Sequence, residues 1–499
     1  MKSEIKKNTL TLLFAVASVG ACAQGHARSQ RDELEDFKKK SQQEFAGYKA
    51  NREKEFKDFR DKYNAEFAAF MRQRWEAFRS AAGVPVPPSP DPVKPPVVDP
   101  KTKPTSQPIP FDKVAPVAPP VAPPQPVAPI PPAPQPVKPS FALLFYNTEC
   151  RFSLTPDLKI ALPDLSEESV AAAWSTLSES RYNSLISDCL ALRKQLKLCD
   201  WGYMLLVKEL AEKFYGPTAS NEATLLQMFI LTQSGYKVRI AKADSRLALL
   251  IPSDRTIYEY TYIDIGGLKH YVVDKSLKNS QFYIFNREFP KEQLISLQTG
   301  QPNLSVTETA TKSYASKRYP DVSVTVSTNK NLISFYNSYP RNSGWDLYAN
   351  ASLSETLKKD LYPALRRSIA GKSKTEAANM LINFVQTAFD YKTDDEQFGA
   401  ERALFADETF FYPASDCEDR SILYAILVKE LLGLEVVLLH YPGHLATAVC
   451  FGEEEVQGDY LNIENKKFVV CDPTYIGADV GRAMEKFKTV KADVIMVNG

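Results

Sequence analysis

The sequence predicts an α+β protein in which helices and short buried strands alternate, preceded by a long helix and a proline-rich segment. Three observations support this class. Aromatic residues recur every eleven positions between residues 37 and 80, and prolines recur every two or three positions from 84 to 139. The remaining 360 residues show apolar positions at helical spacing, followed by apolar runs of strand length. At 499 residues, the chain is long enough for two or three folded units.

Composition excludes some classes of protein. Lys and Arg number 61 against 60 Asp and Glu, so the net charge is +1 and no global field recruits nucleic acid. Seven cysteines are too few for a disulfide-built scaffold in a chain of 499 residues. Each thiol therefore has to be considered individually.

Residues 1–23 have the pattern of an export signal, with three lysines followed by an apolar run at 10–19. Residues 19–22 resemble a lipoprotein box that would place a lipid anchor on Cys22, whereas 21–23 fit ordinary cleavage before Gln24. No later stretch reaches the ~20 apolar residues of a spanning helix. We expect an exported bacterial protein of the periplasm or cell envelope, with or without the anchor.

Residues 28–80 are predicted to form one amphipathic helix, since both phases of the eleven-residue repeat fall on one face. Its aromatic face predicts self-association or a helical partner through residues 37–80. The alternative is docking on a specific partner or a membrane surface. The aromatic positions are Phe37, Tyr48, Phe59 and Phe70 in one phase and Phe45, Phe56, Phe67 and Phe78 in the other.

The proline-rich segment, residues 81–140, is predicted to be an extended linker. Proline lacks a backbone N–H and breaks helices, so this composition indicates neither a core nor a strand ladder. A spacer role is favoured over recognition by proline-binding modules.

The rest of the chain contains an internal duplication. Residues 177–179 recur as 353–355, and the same offset holds to Tyr215 and Tyr391. After an insertion at about 392–411, a second offset aligns Asp274 with Asp472. We therefore predict two related domains, the first repeat at 141–300 and the second repeat at 301–499.

One constellation in the second repeat indicates nucleophilic chemistry. Cys417 precedes a predicted helix ending at Gly433, where unpaired N–H groups and the helix dipole favour a thiolate. His444 begins the second of two predicted strands, and Asp472 follows a third. A cysteine relay requires a nucleophile, a base and an orienting carboxylate, and this order supplies them.

The motifs Asp416-Cys417-Glu418-Asp419, Pro442-Gly443-His444-Leu445-Ala446 and Cys471-Asp472-Pro473-Thr474-Tyr475 resemble those of the transglutaminase-like superfamily, over roughly residues 353–481. The resemblance implies tandem transglutaminase-like, papain-like α+β domains. It also implies that Cys417 is the acylated nucleophile, His444 the general base and acid, and Asp472 the group that orients the imidazole.

Other site residues follow from this resemblance. Tyr412 and Gln397 are the candidates for a side-chain oxyanion donor, beside the backbone N–H of Cys417. The first repeat is degenerate, because the alignment places Ala219 opposite Cys417 and Arg246 opposite His444. Its expected role is packing, substrate docking or partner binding. Cys450 and Cys471 are expected to be core residues or a pair, and His440 only ends a strand.

The predicted activity is acyl transfer from a protein or peptide amide through the Cys417 thiolate. Water as the second nucleophile gives a peptidase or amidase, which is favoured, and an amine gives a cross-linking transglutaminase. The rival from another class is a non-catalytic surface scaffold. The pattern implies no cofactor, no metal such as zinc and no nucleic-acid partner.

Overall fold

The computed structural model describes residues 26–87, 94–117, 125–127, 140–278, 281–288 and 291–497, with backbone only at 26–36, 49, 52, 53 and 56. The predicted signal at 1–23 and the candidate anchor Cys22 lie outside the described residues. Among the helices of the described ranges, none is both long and apolar enough to cross a membrane.

The secondary structure is mixed α and β, as predicted. The helices are α1 His26–Met71, α2 Glu167–Glu179, α3 Asn183–Gln195, α4 Asp200–Tyr215, α5 Ser220–Gln233, α6 Lys330–Asn337, α7 Trp345–Ala349, α8 Glu355–Ile369, α9 Lys374–Ala388, α10 Asp394–Phe398, α11 Ala406–Phe411 and α12 Cys417–Leu427. The strands are β1 Glu76–Arg79, β2 Phe111–Ala115, β3 Phe141–Phe145, β4 Thr148–Phe152, β5 Arg239–Ala243, β6 Arg246–Ser253, β7 Tyr262–Ile265, β8 Leu268–Val272, β9 Gln281–Ile284, β10 Thr309–Ala315, β11 Ser323–Asn329, β12 Asp390–Tyr391, β13 Ala414–Ser415, β14 Glu435–Tyr441, β15 His444–Cys450, β16 Tyr460–Ile463, β17 Lys466–Cys471 and β18 Ala492–Met496.

The chain divides into two compact units, residues 1–60 and 61–499. In the first unit, the described part of α1 carries Phe37, Phe45, Tyr48 and Phe59, each more than half exposed. An exposed aromatic face of this kind is what the eleven-residue repeat predicts.

The predicted helix to residue 80 is wrong at its end, because α1 stops at Met71. Residues 76–79 form β1 instead and pair antiparallel with β9, placing Phe78 opposite Phe282. Just before this strand, the Trp75 ring stacks on Phe285 with ring centroids 3.7 Å apart. Pairing and ring packing within the second unit therefore outweigh the helical period over the last repeat.

Within the described residues, the two repeats each contain a six-stranded sheet, and the strand orders correspond one to one. The first sheet runs β1-β9-β5-β6-β8-β7 and the second runs β2-β18-β14-β15-β17-β16. In each, a largely buried helix precedes the sheet, α5 in the first repeat and α12 in the second. The edge strands β1 and β2 differ, since β1 is antiparallel and β2 parallel to its neighbour. Both edges come from residues that precede the repeats.

The prediction of a free linker at 81–140 is wrong for the part that the structure describes. Strand β2 pairs with β18 at the edge of the second sheet. Upstream, Val98 donates to the Ile476 carbonyl at 2.9 Å, and Ile109 donates to the Tyr460 carbonyl at 2.7 Å. The non-proline residues keep their N–H groups, and proline is tolerated at a sheet edge, so this composition still permits a ladder.

Replacing Ile109 by aspartate should detach the proline-rich segment. Its side chain is 3 % exposed in the core beneath the second sheet, so the substitution buries an unpaired charge. We expect a loss of stability of roughly 2–5 kcal/mol, seen as a lower melting temperature. The matched control is Val97→Asp on the same segment, where the side chain is 71 % exposed and little change is expected. Equal melting temperatures for the two variants would mean that the segment is a free linker.

Candidate active site

Cys417 is the first residue of α12, as predicted, and its helix is anchored to the surrounding fold. Ser421 Oγ donates to the Leu445 carbonyl at 2.8 Å, which ties α12 to β15. The buried Arg420 guanidinium donates to the Phe389 carbonyl at 2.9 Å. The predicted end of the helix is also confirmed, since Gly433 has φ 64° and follows a π-helical turn at 428–432. The backbone position of the nucleophile is therefore fixed from several sides.

The structure brings His444 and Asp472 together. His444 begins β15, Asp472 directly follows the neighbouring strand β17, and the His444 Nε2 lies 2.9 Å from Asp472 Oδ2. Both residues are buried, and the Thr474 amide donates to Asp472 Oδ1 at 2.9 Å. This leaves His444 Nδ1 buried without a hydrogen-bond partner in the described ranges. Nδ1 is thus the nitrogen that remains to take a proton.

The third group, Cys417, faces the same space. A cavity of about 480 Å³, here called the cleft, is lined by both Cys417 and His444. The Cys417 sulfur also receives a hydrogen bond from the backbone of Leu445, the residue after His444. The three residues selected from the sequence therefore converge at one site, with the order required for a Cys-His-Asp relay.

The charge state of Cys417 differs from the sequence-based expectation of a favoured thiolate. Burial, and then the neighbouring Asp416, raise the pKa of the Cys417 thiol well above its ordinary value. The thiol donates to Glu418 Oε2 at 3.1 Å. The helix dipole acts only within its first turn and is outweighed here by desolvation and by the charge of Asp416. Positive charge near these carboxylates would favour the thiolate.

No family model, curated protein or solved structure matched this chain. The chemistry of the site therefore has to be inferred from the residues that form it.

The two side-chain oxyanion candidates lie away from the cleft. Gln397 uses both polar atoms on the backbone of Ala414, donating at 3.1 Å and accepting at 3.1 Å. Tyr412 donates its hydroxyl to Asn337 Oδ1 at 2.8 Å. Gln397 lies in the insertion of the second repeat and Tyr412 directly follows it. These hydrogen bonds stabilise the conformation of that segment. Of the donors considered from the sequence, the backbone N–H of Cys417 remains.

Sequence reasoning missed the residue that holds the imidazole ring. Phe487 stacks on His444 with ring centroids 4.9 Å apart and an interplanar angle of 3°. Tyr441 packs beside both rings, with its centroid 4.5 Å from that of Phe487 and 6.4 Å from that of His444. Phe487 lies in a short 3₁₀ turn with no periodic pattern around it, so no sequence signal marks it.

Gln386 was also missed, although it and Asn383 are buried polar residues on the largely apolar face of α9. The Gln386 Nε2 donates to the carbonyls of Tyr475 at 2.8 Å and Ala478 at 2.9 Å. These bonds hold the loop that follows Asp472. Two amides three residues apart in an apolar helical stripe were the available signal.

Replacing Phe487 by leucine should reduce catalysis through loss of imidazole orientation. We expect kcat to fall roughly tenfold with little change in KM, because orientation affects the proton transfer more than ground-state binding. The matched control is Phe468→Leu, which removes a ring buried in the same core cluster from β17. Equal losses in both variants would indicate a general packing defect.

A carboxylate cluster lies directly beside the nucleophile. It consists of Asp394, Glu401, Asp416 and Glu418, all buried, with one oxygen from each within 4.8 Å of the others. Both carboxylate oxygens of Asp416 and Oε1 of Glu418 accept no hydrogen bond from the part of the chain that the structure describes.

Burial raises the pKa of Asp394 to about 9 and that of Asp416 and Glu418 well above their ordinary range. Four hard oxygen donors in one buried space fit Ca²⁺, which takes six to eight oxygen ligands. The set lacks the nitrogen and sulfur donors that zinc prefers. The spacing typical of zinc ligands does not reveal these carboxylates. Asp394 and Glu401 belong to the insertion, which lies outside the motif that contains Cys417.

Calcium should therefore stabilise the metal-stripped protein. At 100 times the dissociation constant, binding would add about 2.7 kcal/mol and raise the melting temperature. Asp394→Asn should abolish most of this shift. Asp407→Asn should keep it, since Asp407 is a buried carboxyl outside the cluster that accepts hydrogen bonds from Ser354. A wild-type melting temperature that calcium leaves unchanged would exclude the cluster as a Ca²⁺ site.

The corresponding place in the first repeat carries different chemistry. Arg246 forms an ion pair with Asp274, where the second repeat has the His444–Asp472 pair. Ala219 is the N-cap of α5, whereas Cys417 is the first residue of α12, so Ser220 holds the helix position equivalent to Cys417. The predicted alignment is therefore one residue out at this position. An arginine-carboxylate pair cannot act as a general base near neutral pH.

The remaining cysteines follow the expectation of core residues. Cys471 is fully buried, and Cys450 is partly buried at the end of β15. All the cysteines in the described ranges are free thiols. His440 lines the cleft from β14, and its pKa is lowered by burial.

Proposed function

We propose that this chain is an exported cysteine-nucleophile acyl-transfer enzyme of the transglutaminase-like type, acting as a peptidase or amidase on protein or peptide amides. The observation that carries the proposal is the His444–Asp472 contact of 2.9 Å beside a cleft that Cys417 also lines. A thiol and an imidazole that face one cleft support this chemistry.

The reaction proceeds in two halves. The Cys417 thiol gives its proton to His444 Nδ1, and the sulfur attacks the amide carbonyl carbon. The tetrahedral intermediate collapses when His444 returns that proton to the leaving amine, which departs and leaves a thioester. Water then attacks the thioester carbonyl, with His444 removing its proton, and the acid and the free thiol are released. Asp472 holds the imidazole in the tautomer that leaves Nδ1 free.

The second candidate is transamidation, in which an amine replaces water in the second half. The Cys417 thiol is buried beside a cleft of about 480 Å³, and an amine bound in that cleft would compete with water for the thioester. A third possibility, a non-catalytic scaffold, is disfavoured because a pseudoenzyme would not need to hold His444 and Asp472 buried in contact.

The flanking segments suggest how the enzyme is placed. We propose that the exposed aromatic face of α1 mediates self-association or contact with a helical partner. Export to the periplasm or cell envelope, with a possible lipid on Cys22, remains the proposal from residues 1–23.

The test is the pH-dependent rate of iodoacetamide labelling at Cys417, located by mass spectrometry, with and without calcium. In wild type with calcium we expect labelling faster than that of an ordinary thiol of pKa about 8.5, with the rate collapsing in His444→Ala. Without calcium, the raised pKa of the Cys417 thiol should slow the labelling. Labelling at the ordinary rate in both proteins, under both conditions, would favour the scaffold.

A further inference from the structure

The cleft is built by three segments that are far apart in sequence. The proline-rich segment contributes Pro87 and Pro116, the first repeat contributes Tyr258, and the second repeat contributes Trp345 beside the catalytic pair. Its volume of about 480 Å³ lies within the range of roughly 300–1,000 Å³ that is usual for ligand sites. Two parts of the chain that lack the triad therefore border the reacting atoms.

The Lys and Arg side chains that line the cleft are each paired with a carboxylate, and the cleft residues Glu401 and Glu418 belong to the carboxylate cluster. An acidic side chain of a substrate would have to break one of these pairs, and a basic one would compete with the cation that the cluster fits, whereas an apolar side chain would do neither. The pairs are Arg255 with Asp346 at 2.7 Å, Lys113 with Asp493 at 3.1 Å, Arg341 with Glu259 at 3.3 Å, and Arg402 with Glu408.

The apolar groups that line the cleft take no part in these ion pairs. We define the apolar wall as Val86, Pro87, Pro116, Tyr258 and Trp345, all of which line the cleft. Pro87 and Pro116 are exposed, and the other three are partly exposed, so this surface is open to a ligand. Rings and proline faces suit a large apolar side chain better than a small or polar one.

The wall is held rigidly. Strand β2 pairs with β18 as far as Ala115 and Ile495, so Pro116 lies one residue beyond the ladder. On the opposite side, the Val84 carbonyl accepts a hydrogen bond of 2.8 Å from the Glu259 amide, next to Tyr258. A surface fixed in advance costs little ordering when a substrate binds.

We propose that the proline-rich segment, together with Tyr258 and Trp345, forms the subsite that selects a large apolar or aromatic side chain next to the reacting carbonyl. This inference rests on the proposed function. It assigns a specificity role to residues 84–87 and 111–116, and it gives the first repeat a part in substrate binding.

The experiment compares peptidyl acyloxymethyl ketones that differ only in the residue beside the reactive ketone, with phenylalanine, lysine or aspartate at that place. The second-order rate of modification at Cys417 is measured by mass spectrometry. In wild type we expect the phenylalanine probe to react at least tenfold faster than either charged probe, about the effect of burying one large apolar side chain.

Pro116→Asp and Tyr258→Ser should each reduce this preference to threefold or less, while leaving iodoacetamide labelling of Cys417 unchanged. Val117→Asp is the control, since Val117 is the exposed neighbour of Pro116 and is not a cleft residue. It should keep the wild-type preference. Melting temperatures of all variants are compared, and a variant that does not fold is replaced by Pro87→Asp.

The outcomes separate the two claims. Fast iodoacetamide labelling with no preference for the phenylalanine probe would overturn the subsite and leave the proposed function standing. A preference that survives in all the wall variants would also overturn the subsite. Slow iodoacetamide labelling in wild type, both with and without calcium, would overturn the proposed function, and the subsite with it.

Discussion

Replacing Cys417 by alanine is expected to lower kcat/KM for amide hydrolysis by about 10⁴–10⁶-fold. The loss is large because the thioester route disappears, and the remaining groups can only stabilise direct attack by water. The measurement is release of new amino termini from a phenylalanine-containing peptide, with the protein held at saturating calcium.

The matched control for that variant is Cys450→Ala. Cys450 lies on β15, the strand that also carries His444, but at its far end, so activity should stay within about twofold of wild type. Turnover that persists in Cys417→Ala at the wild-type rate would show that another group is the nucleophile.

Asp472→Asn should lower kcat by about 10⁴-fold with little effect on KM or on folding. The asparagine amide has the same shape as the carboxyl group. Its oxygen, however, accepts the hydrogen bond from the His444 Nε2–H less strongly than an ionised carboxylate oxygen does. The imidazole then loses the tautomer that leaves Nδ1 free for the thiol. Steady-state kinetics, together with the melting temperature, separate this effect from misfolding.

The first repeat provides the control for Asp472. Asp274→Asn changes the aligned carboxylate, which pairs with Arg246 on the sheet of the first repeat. Activity should remain close to that of wild type. A comparable loss of kcat in both variants would mean that the two sites are coupled.

The parts of this site that follow local rules could be predicted from the sequence. Cys417 at a helix start, His444 at the start of a strand and Asp472 after the next strand each depend on short-range patterns. Apolar periodicity and turn residues specify such positions without knowledge of the fold. The strands can be predicted for the same reason. So can the end of the helical segment at Gly433, after the π-helical turn that follows α12.

Features that depend on tertiary context could not be predicted. Phe487 meets His444 only because an irregular turn packs beneath the sheet, and no period marks that turn. The carboxylate cluster joins two residues of the motif to two residues of the insertion. The pKa of the Cys417 thiol is raised, and not lowered as the helix dipole alone would predict, because burial and then Asp416 outweigh that dipole.

The proline-rich segment shows a different limit. Its composition predicts neither a core nor a strand ladder, and both predictions are wrong in the described part, where Ile109 is buried and β2 pairs with β18. It does not exclude an edge strand, because Phe111 to Ala115 contain no proline and have all their N–H groups. The sequence alone does not show which strand these residues pair with, so it predicts a linker.

The edge strand β2 also sets an order of events during folding. It closes a sheet whose neighbouring strand β18 is translated after every other strand described, and nearby Thr102 and Arg482 are hydrogen-bonded across 380 residues. Such high contact order makes closure a late and slow step. A partly synthesised chain therefore has the thiol and the imidazole before it has the cleft. The cleft is complete only when β18 has been made and β2 has paired with it, so any chemistry at Cys417 that depends on the cleft follows the last step of folding.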